Sequence, residues 1–279
     1  MPLTRTHILM AEAKATGAAV LAFNVITLEH AEAIAAGAEA AGVPAILQIS
    51  ENAVKFHGGK LAPLAAATAA VARTSSAPLA LHLDHVESES LLHEAAAHDF
   101  GSVMFDASKR DYADNVKATA AAARWAHEHD LWLEAELGAV GGKAGDAHTP
   151  GVRTDPSEAA AFVAETGVDA LAVAVGSTHA MTERTATLDH ALITRLHETV
   201  PVPLVLHGSS GVPDEELCRA VAAGMTKINV GTALNTAYTG AVRAFLEAHP
   251  SAVDPRKYLV PAKGAMMGTV TDYLRKTMA

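Results

Sequence analysis

Eight short apolar runs, each followed by a stretch with helical spacing, constrain the fold of this chain more than any other feature. The runs cover residues 19–25, 44–50, 79–83, 101–106, 131–137, 170–175, 203–206 and 226–230. They are strand-length and carry few charges, the pattern of strands buried on both faces. Helical stretches follow at 28–42, 61–73, 89–98, 112–129, from Pro156 onward, 189–199, 214–223 and 233–249, with a last helix over 258–276. Eight strand–helix units within about 250 residues predict a closed α/β barrel, the (β/α)8 TIM-barrel arrangement, carrying an extra C-terminal helix. A doubly wound open sheet is the competing arrangement, but no G-x-G-x-x-G follows the first strand. No linker, low-complexity segment or charge block divides the chain, so residues 1–279 are expected to form a single domain.

Composition narrows the function. Lys plus Arg is 21 against 31 for Asp plus Glu, a net charge of −10 with no basic run. Nucleic acid is therefore not an expected partner. A chain this acidic that handles an anionic substrate must gather positive charge locally, from a metal, helix N-termini or a few basic side chains. The single cysteine, Cys218, excludes an intramolecular disulfide and a cysteine-rich zinc site, and its helical setting reads as an inert thiol. There is no signal-like N-terminus and no apolar run of about 18 residues, so a soluble, cytoplasmic protein without a membrane partner is expected.

Barrel chemistry belongs at the C-terminal ends of the strands. Here those ends read Asn24, Ser50, Asp84 with His85, Asp106, Glu134 with Glu136, Ser177 to His179, His207 to Ser210, and Asn229 to Thr232. Three of the eight ends supply a histidine, His85, His179 and His207. Three imidazoles from separate strands suit Zn²⁺ and leave a fourth position for water or substrate. Histidines that merely cap loops are the bland alternative. Asp84 directly precedes His85, so one could hold a metal while the other faces what the metal polarises. His82, one step inside the strand, reads as a support residue. Gly208, Ser209 and Ser210 precede one helix, and Asn229, Val230, Gly231 and Thr232 precede the next. Such small residues let backbone N–H groups and the helix dipole hold a phosphate.

In these motifs the chain resembles the class II, metal-dependent ketose-bisphosphate aldolases of the fructose- and tagatose-bisphosphate type. The resemblance spans nearly the whole length. It rests on the segments 22–24, 81–85, 102–108, 134–138, 204–208, 227–230 and 254–259. It implies that His85, His179 and His207 ligate one zinc ion per chain. Asp84 would be the proton donor, and Asp106 and Glu136 would stand near the metal as supporting or alternative ligands. The reaction implied is reversible cleavage of a ketose bisphosphate into dihydroxyacetone phosphate and an aldehyde. Gly208, Ser209, Ser210, Asn229, Val230, Gly231 and Thr232 would hold the dihydroxyacetone-phosphate half, beside Asn24 and Ser50. The resemblance further implies a monovalent cation near the phosphate. Arg256 would reach in from a neighbouring subunit, hence a homodimer or homotetramer.

Lys227 opens the last strand, where a Schiff-base lysine could lie, and this is the competing chemistry. The chain also departs from the family pattern. Ala144 stands where the loop after the fifth strand carries an acid, with Asp146 two residues on. Gly231 and Asn235 occupy positions that read the C4 hydroxyl and the far phosphate, and Ala233 replaces a usual acid. These departures leave two further readings open. One is an aldolase for another ketose 1-phosphate whose aldehyde half is not phosphorylated. The other is a metal-binding homologue with reduced catalysis.

Overall fold

The computed structural model describes residues 3–137, 152–178 and 181–277. Eight parallel strands close into a barrel in sequence order. They are β1 (Val20–Asn24), β2 (Ala45–Ser50), β3 (Leu79–Val86), β4 (Ser102–Phe105), β5 (Trp132–Glu136), β6 (Ala170–Ala172), β7 (Leu204–Leu206) and β8 (Met225–Val230). The ring shuts where β1 pairs with β8, with Ala22 opposite Asn229. The helices are α1 (Thr6–Thr16), α2 (Leu28–Ala41), α3 (Glu51–Phe56), α4 (Leu61–Thr74), α5 (Glu89–Glu94) and α6 (Tyr112–Glu128), then α7 (Pro156–Thr166), α8 (His190–Thr199), α9 (Asp214–Ala222), α10 (Thr232–Ala248) and α11 (Pro255–Thr277). None of the described helices is long and apolar enough to cross a membrane.

Side chains alternate along each strand between two environments. Leu21, Phe23, Leu47, Leu81, Leu83, Val103 and Leu133 pack outward with the helices in the main core. Val20, Ala22, Ile46 and Ala80 point the other way and meet Leu9, Met10 and Ala13 of α1, which plugs one end of the barrel. Above that apolar floor the same inward rows turn polar, with Gln48, His82, Ser102, Glu134 and Lys227 all essentially buried. Buried polar groups need partners, and this requirement organises the site.

The structure departs from the sequence expectation in a few elements. α1 and α3 were not anticipated. No side chain caps α1 at Arg5 and no acid lies in its first turn, so the usual start signals are missing. α3 is only six residues long, capped by the Ser50 hydroxyl. The expected helix over 89–98 tightens after Glu94 into a 3₁₀ turn over Ala95–Ala97, and β6 ends at Ala172 rather than at 175. His179 and the loop carrying Ala144 and Asp146 lie outside the described residues.

Candidate active site

β3 supplies the first two groups. A bulge interrupts its pairing with β4, since Leu83 lies opposite Val103 but Val86 lies opposite Phe105. Two residues, Asp84 and His85, thus oppose the single Met104. His85 takes φ +49°, the left-handed region that few non-glycine residues adopt. A regular strand would send these neighbours to opposite faces. The bulge instead brings donor atoms of Asp84, His85 and His207 within 4.8 Å of one another, and those of His85, Asp106 and Glu136 likewise.

Carboxylates flank both imidazoles. His85 Nδ1 lies 3.0 Å from Asp106 Oδ2, and Asp106 Oδ1 accepts from the Ser108 hydroxyl at 2.6 Å. His207 Nε2 lies 3.0 Å from Glu134 Oε1, while its Nδ1 stands 3.6 Å from Glu136 Oε2. Carboxylates behind imidazoles fix the tautomer and raise ligand basicity, as around bound metals. The donor set of imidazole and carboxylate suits a divalent transition metal. Burial lowers the His207 pKa, but hydrogen bonds and charge from Glu134 and Glu136 outweigh it and push it up to about 9. That surplus negative potential is what a cation would meet.

Glu134 was read only as a strand-end acid, and Lys227 as a rival nucleophile. The structure pairs them: Lys227 Nζ donates to Glu134 Oε2 at 2.7 Å and to Asn229 Oδ1 at 2.9 Å, all fully buried or nearly so. Those two hydrogen bonds tie the Lys227 amine into the barrel wall, bound to Glu134 and Asn229. Burial pushes the Glu134 carboxyl up, but Lys227, His207 and His82 overcome it and hold it well below the usual range. Asp84 behaves alike: burial raises its pKa, and His85, His82, His207 and Lys227 together bring it below the ordinary value. It is therefore an ionised carboxylate at neutral pH.

The candidate phosphate end lies alongside. Gly208 adopts φ +68°, leading into the turn Ser209–Gly211. The Ser209 hydroxyl donates to the Asn229 carbonyl, and Ser210 Oγ accepts from the Ala233 N–H at 3.1 Å. Val230 is buried outward in the core, and Gly231 and Thr232 open α10. A Cβ at Gly231 would stand 3.0 Å from Asn24 Oδ1, so glycine permits this close approach. Asn24 Oδ1 also accepts from Gln48 Nε2 at 2.7 Å. Ser50 sits at the end of β2, and its hydroxyl accepts from the Ala53 N–H at 3.2 Å. Arg256 is not gathered there; its side chain is 87 % exposed and bound by Asp254 two residues away.

Sequence reasoning missed Gln48 and the Lys227–Glu134 pair; Ser177, read as a strand-end residue, donates its hydroxyl to the His207 carbonyl at 2.6 Å. A period-two count of inward positions along β2, β5 and β8 would have flagged the first two.

Comparison with known proteins adds the chemistry. The family profile described as "Fructose-bisphosphate aldolase class-II" matches residues 4–279. A Bacillus subtilis (strain 168) protein named "Probable fructose-bisphosphate aldolase" is 38 % identical over 278 residues, covering 99 % of this chain and 98 % of that protein. The X-ray structure of the YdjI aldolase from Escherichia coli K12 superposes with a TM-score of 0.85 at 29 % identity, covering 99 % of this chain and 97 % of that one. The fructose-bisphosphate aldolase (Fba) structure from Campylobacter jejuni has a TM-score of 0.82 at 22 % identity, over 99 % and 95 % of the two chains, a likeness of fold.

Proposed function

The chain belongs to the class II fructose-bisphosphate aldolase family and is an aldolase, a carbon–carbon lyase, and from this premise we propose its substrate class, its metal and the work of its residues. The substrate is a ketose bisphosphate of the fructose- or tagatose-1,6-bisphosphate type, cleaved reversibly into dihydroxyacetone phosphate and an aldehyde. His85, His179 and His207 hold one Zn²⁺ per chain, with Asp106 and Glu136 behind or beside it. Bound there, the ion would supply Lewis-acid polarisation of the ketose oxygens and positive charge beside the breaking C3–C4 bond. Asp84 takes the C4 hydroxyl proton in cleavage and returns it in condensation. Gly208, Ser209, Ser210, Asn229, Val230, Gly231 and Thr232 hold the near phosphate, with a monovalent cation beside it, and Asn24 and Ser50 line the substrate's other side. Arg256 of a second copy reaches the far phosphate in a homodimer or homotetramer. The protein works in the cytoplasm.

The observation that carries this reading is the convergence of Asp84, His85 and His207 within 4.8 Å at the strand ends. The test is release of dihydroxyacetone phosphate from fructose and tagatose 1,6-bisphosphates, with and without chelator. Chelator-sensitive cleavage supports the proposal; no cleavage of either bisphosphate by zinc-loaded protein sinks it.

A second reading has its own support. Asn235 hydrogen-bonds the buried His30 instead of offering a cation, and the YdjI aldolase is among the similar structures. In this reading the substrate is another ketose 1-phosphate whose aldehyde half is not phosphorylated. A kcat/KM for a ketose 1-phosphate equal to or above that for the bisphosphate favours it.

A further inference from the structure

One buried group is used by none of these assignments. His82 lies on the inner face of β3, two residues before Asp84, with no exposed surface. Its Nδ1 is 2.7 Å from Ser102 Oγ, which is itself 2.7 Å from Thr6 Oγ1 on the floor helix α1. Its Nε2 has no hydrogen-bond partner among the described residues. That nitrogen stands 3.9 Å from Asp84 Oδ1 and 3.8 Å from Glu134 Oε2.

We propose that His82 is the positioning residue of the proposed reaction: held as its neutral Nε2–H tautomer by Ser102, it aims one proton between Asp84 and Glu134. The inference rests on the reading of Asp84 as the proton-exchanging group. The electrostatics selects the tautomer. With the proton on Nδ1, a lone pair would face two carboxylates at under 4 Å in a low-dielectric interior, a repulsive arrangement. With the proton on Nε2, the positive end of the ring dipole faces both, and Nδ1 accepts from Ser102, which accepts in turn from Thr6. Burial, joined by Lys227, pushes the His82 pKa down to about 3, so the ring is neutral.

The consequence is orientation. The other contact to Asp84 Oδ1 is a long one, 3.5 Å from Asn229 Nδ2. The His82 proton adds a second attraction on Oδ1 and keeps the other oxygen turned to the substrate hydroxyl. Glu134, which orients His207, feels the same proton. His82 thereby couples the two carboxylates without touching substrate.

The test compares His82→Phe, a ring without the donor, with His82→Gln, a donor of similar reach, both zinc-loaded. The Phe variant should lose about tenfold to hundredfold in kcat, the usual cost of a misplaced group, with KM and zinc content within about twofold of wild type. The Gln variant should recover most of that loss. Wild-type kcat in the Phe variant, or equal loss in both variants at full zinc content, overturns the proposal. Long-range ¹H–¹⁵N spectra of histidine-labelled wild type read the tautomer directly, with the Gln variant supplying the assignment. An Nε2–H pattern at neutral pH is expected, and an Nδ1–H or imidazolium pattern refutes it. Should the Phe variant fail to fold, Ser102→Ala serves: the account expects a mixed His82 tautomer and a lower kcat at unchanged KM, and an unchanged tautomer and kcat contradict it. Wild type that cleaves no ketose phosphate would sink the proposed function, while the tautomer result would still stand by itself.

Discussion

Asp84 and His85 are chain neighbours that serve one site because the backbone at His85 is bent into a left-handed conformation. Both were legible in the sequence, as was His207, because a polar group at the end of an apolar strand is conspicuous. The bulge that unites them was not, since it depends on how β3 pairs with β4. Nor was the chain Lys227–Glu134–His207, which joins three strands through inward positions. Asp84→Asn removes the proposed proton acceptor and keeps the shape; kcat should fall by about 10²- to 10⁴-fold with metal content unchanged, read by dihydroxyacetone phosphate release and metal analysis. Acid should also weaken the fold through its neutral buried histidines. Burial holds His30 and His82 below their ordinary 6.5, His82 at about 3. A base whose folded pKa is depressed contributes stability that is complete above about 6.5 and lost as pH falls toward the folded value. Between pH 7 and 5, metal-free wild type should therefore lose more Tm than His82→Gln; equal losses would contradict this.

Among the elements, the strands were legible from apolar runs and most helices from their spacing. α1 was not, because it lacks a capping side chain and shows an apolar stripe only where Leu9, Met10 and Ala13 seal the floor. That helix matters to the site above, since Thr6 anchors Ser102 beneath His82. At the outer layer α11 crosses α2 so closely that a Cβ at Gly37 would lie 2.6 Å from the Val270 side chain. Gly37→Ala should therefore destabilise by about 1–3 kcal/mol through overpacking, visible as a lower Tm with kcat unchanged in the folded fraction. An unchanged Tm would show that α11 yields easily.

For the whole molecule, the closed barrel with its C-terminal helix follows from eight strand–helix repeats, and the family from the ordered motifs at the strand ends. How copies assemble is not written in one chain's pattern. Arg256, exposed and, among the described residues, bound by Asp254, lends itself to a neighbour's site. If it binds the far phosphate, Arg256→Ala should raise KM for a bisphosphate about tenfold to hundredfold, the worth of a charge-assisted contact, and leave KM for a ketose 1-phosphate unchanged. Steady-state kinetics on both substrates decides it, and no change on either removes the argument for shared sites. The most direct test of the central claim, that imidazoles from separate strands hold a cation on which cleavage depends, is activity against metal content in one titration. Chelator-stripped protein should release no dihydroxyacetone phosphate and regain full activity at one zinc per chain, whereas full activity in metal-free protein would contradict the account.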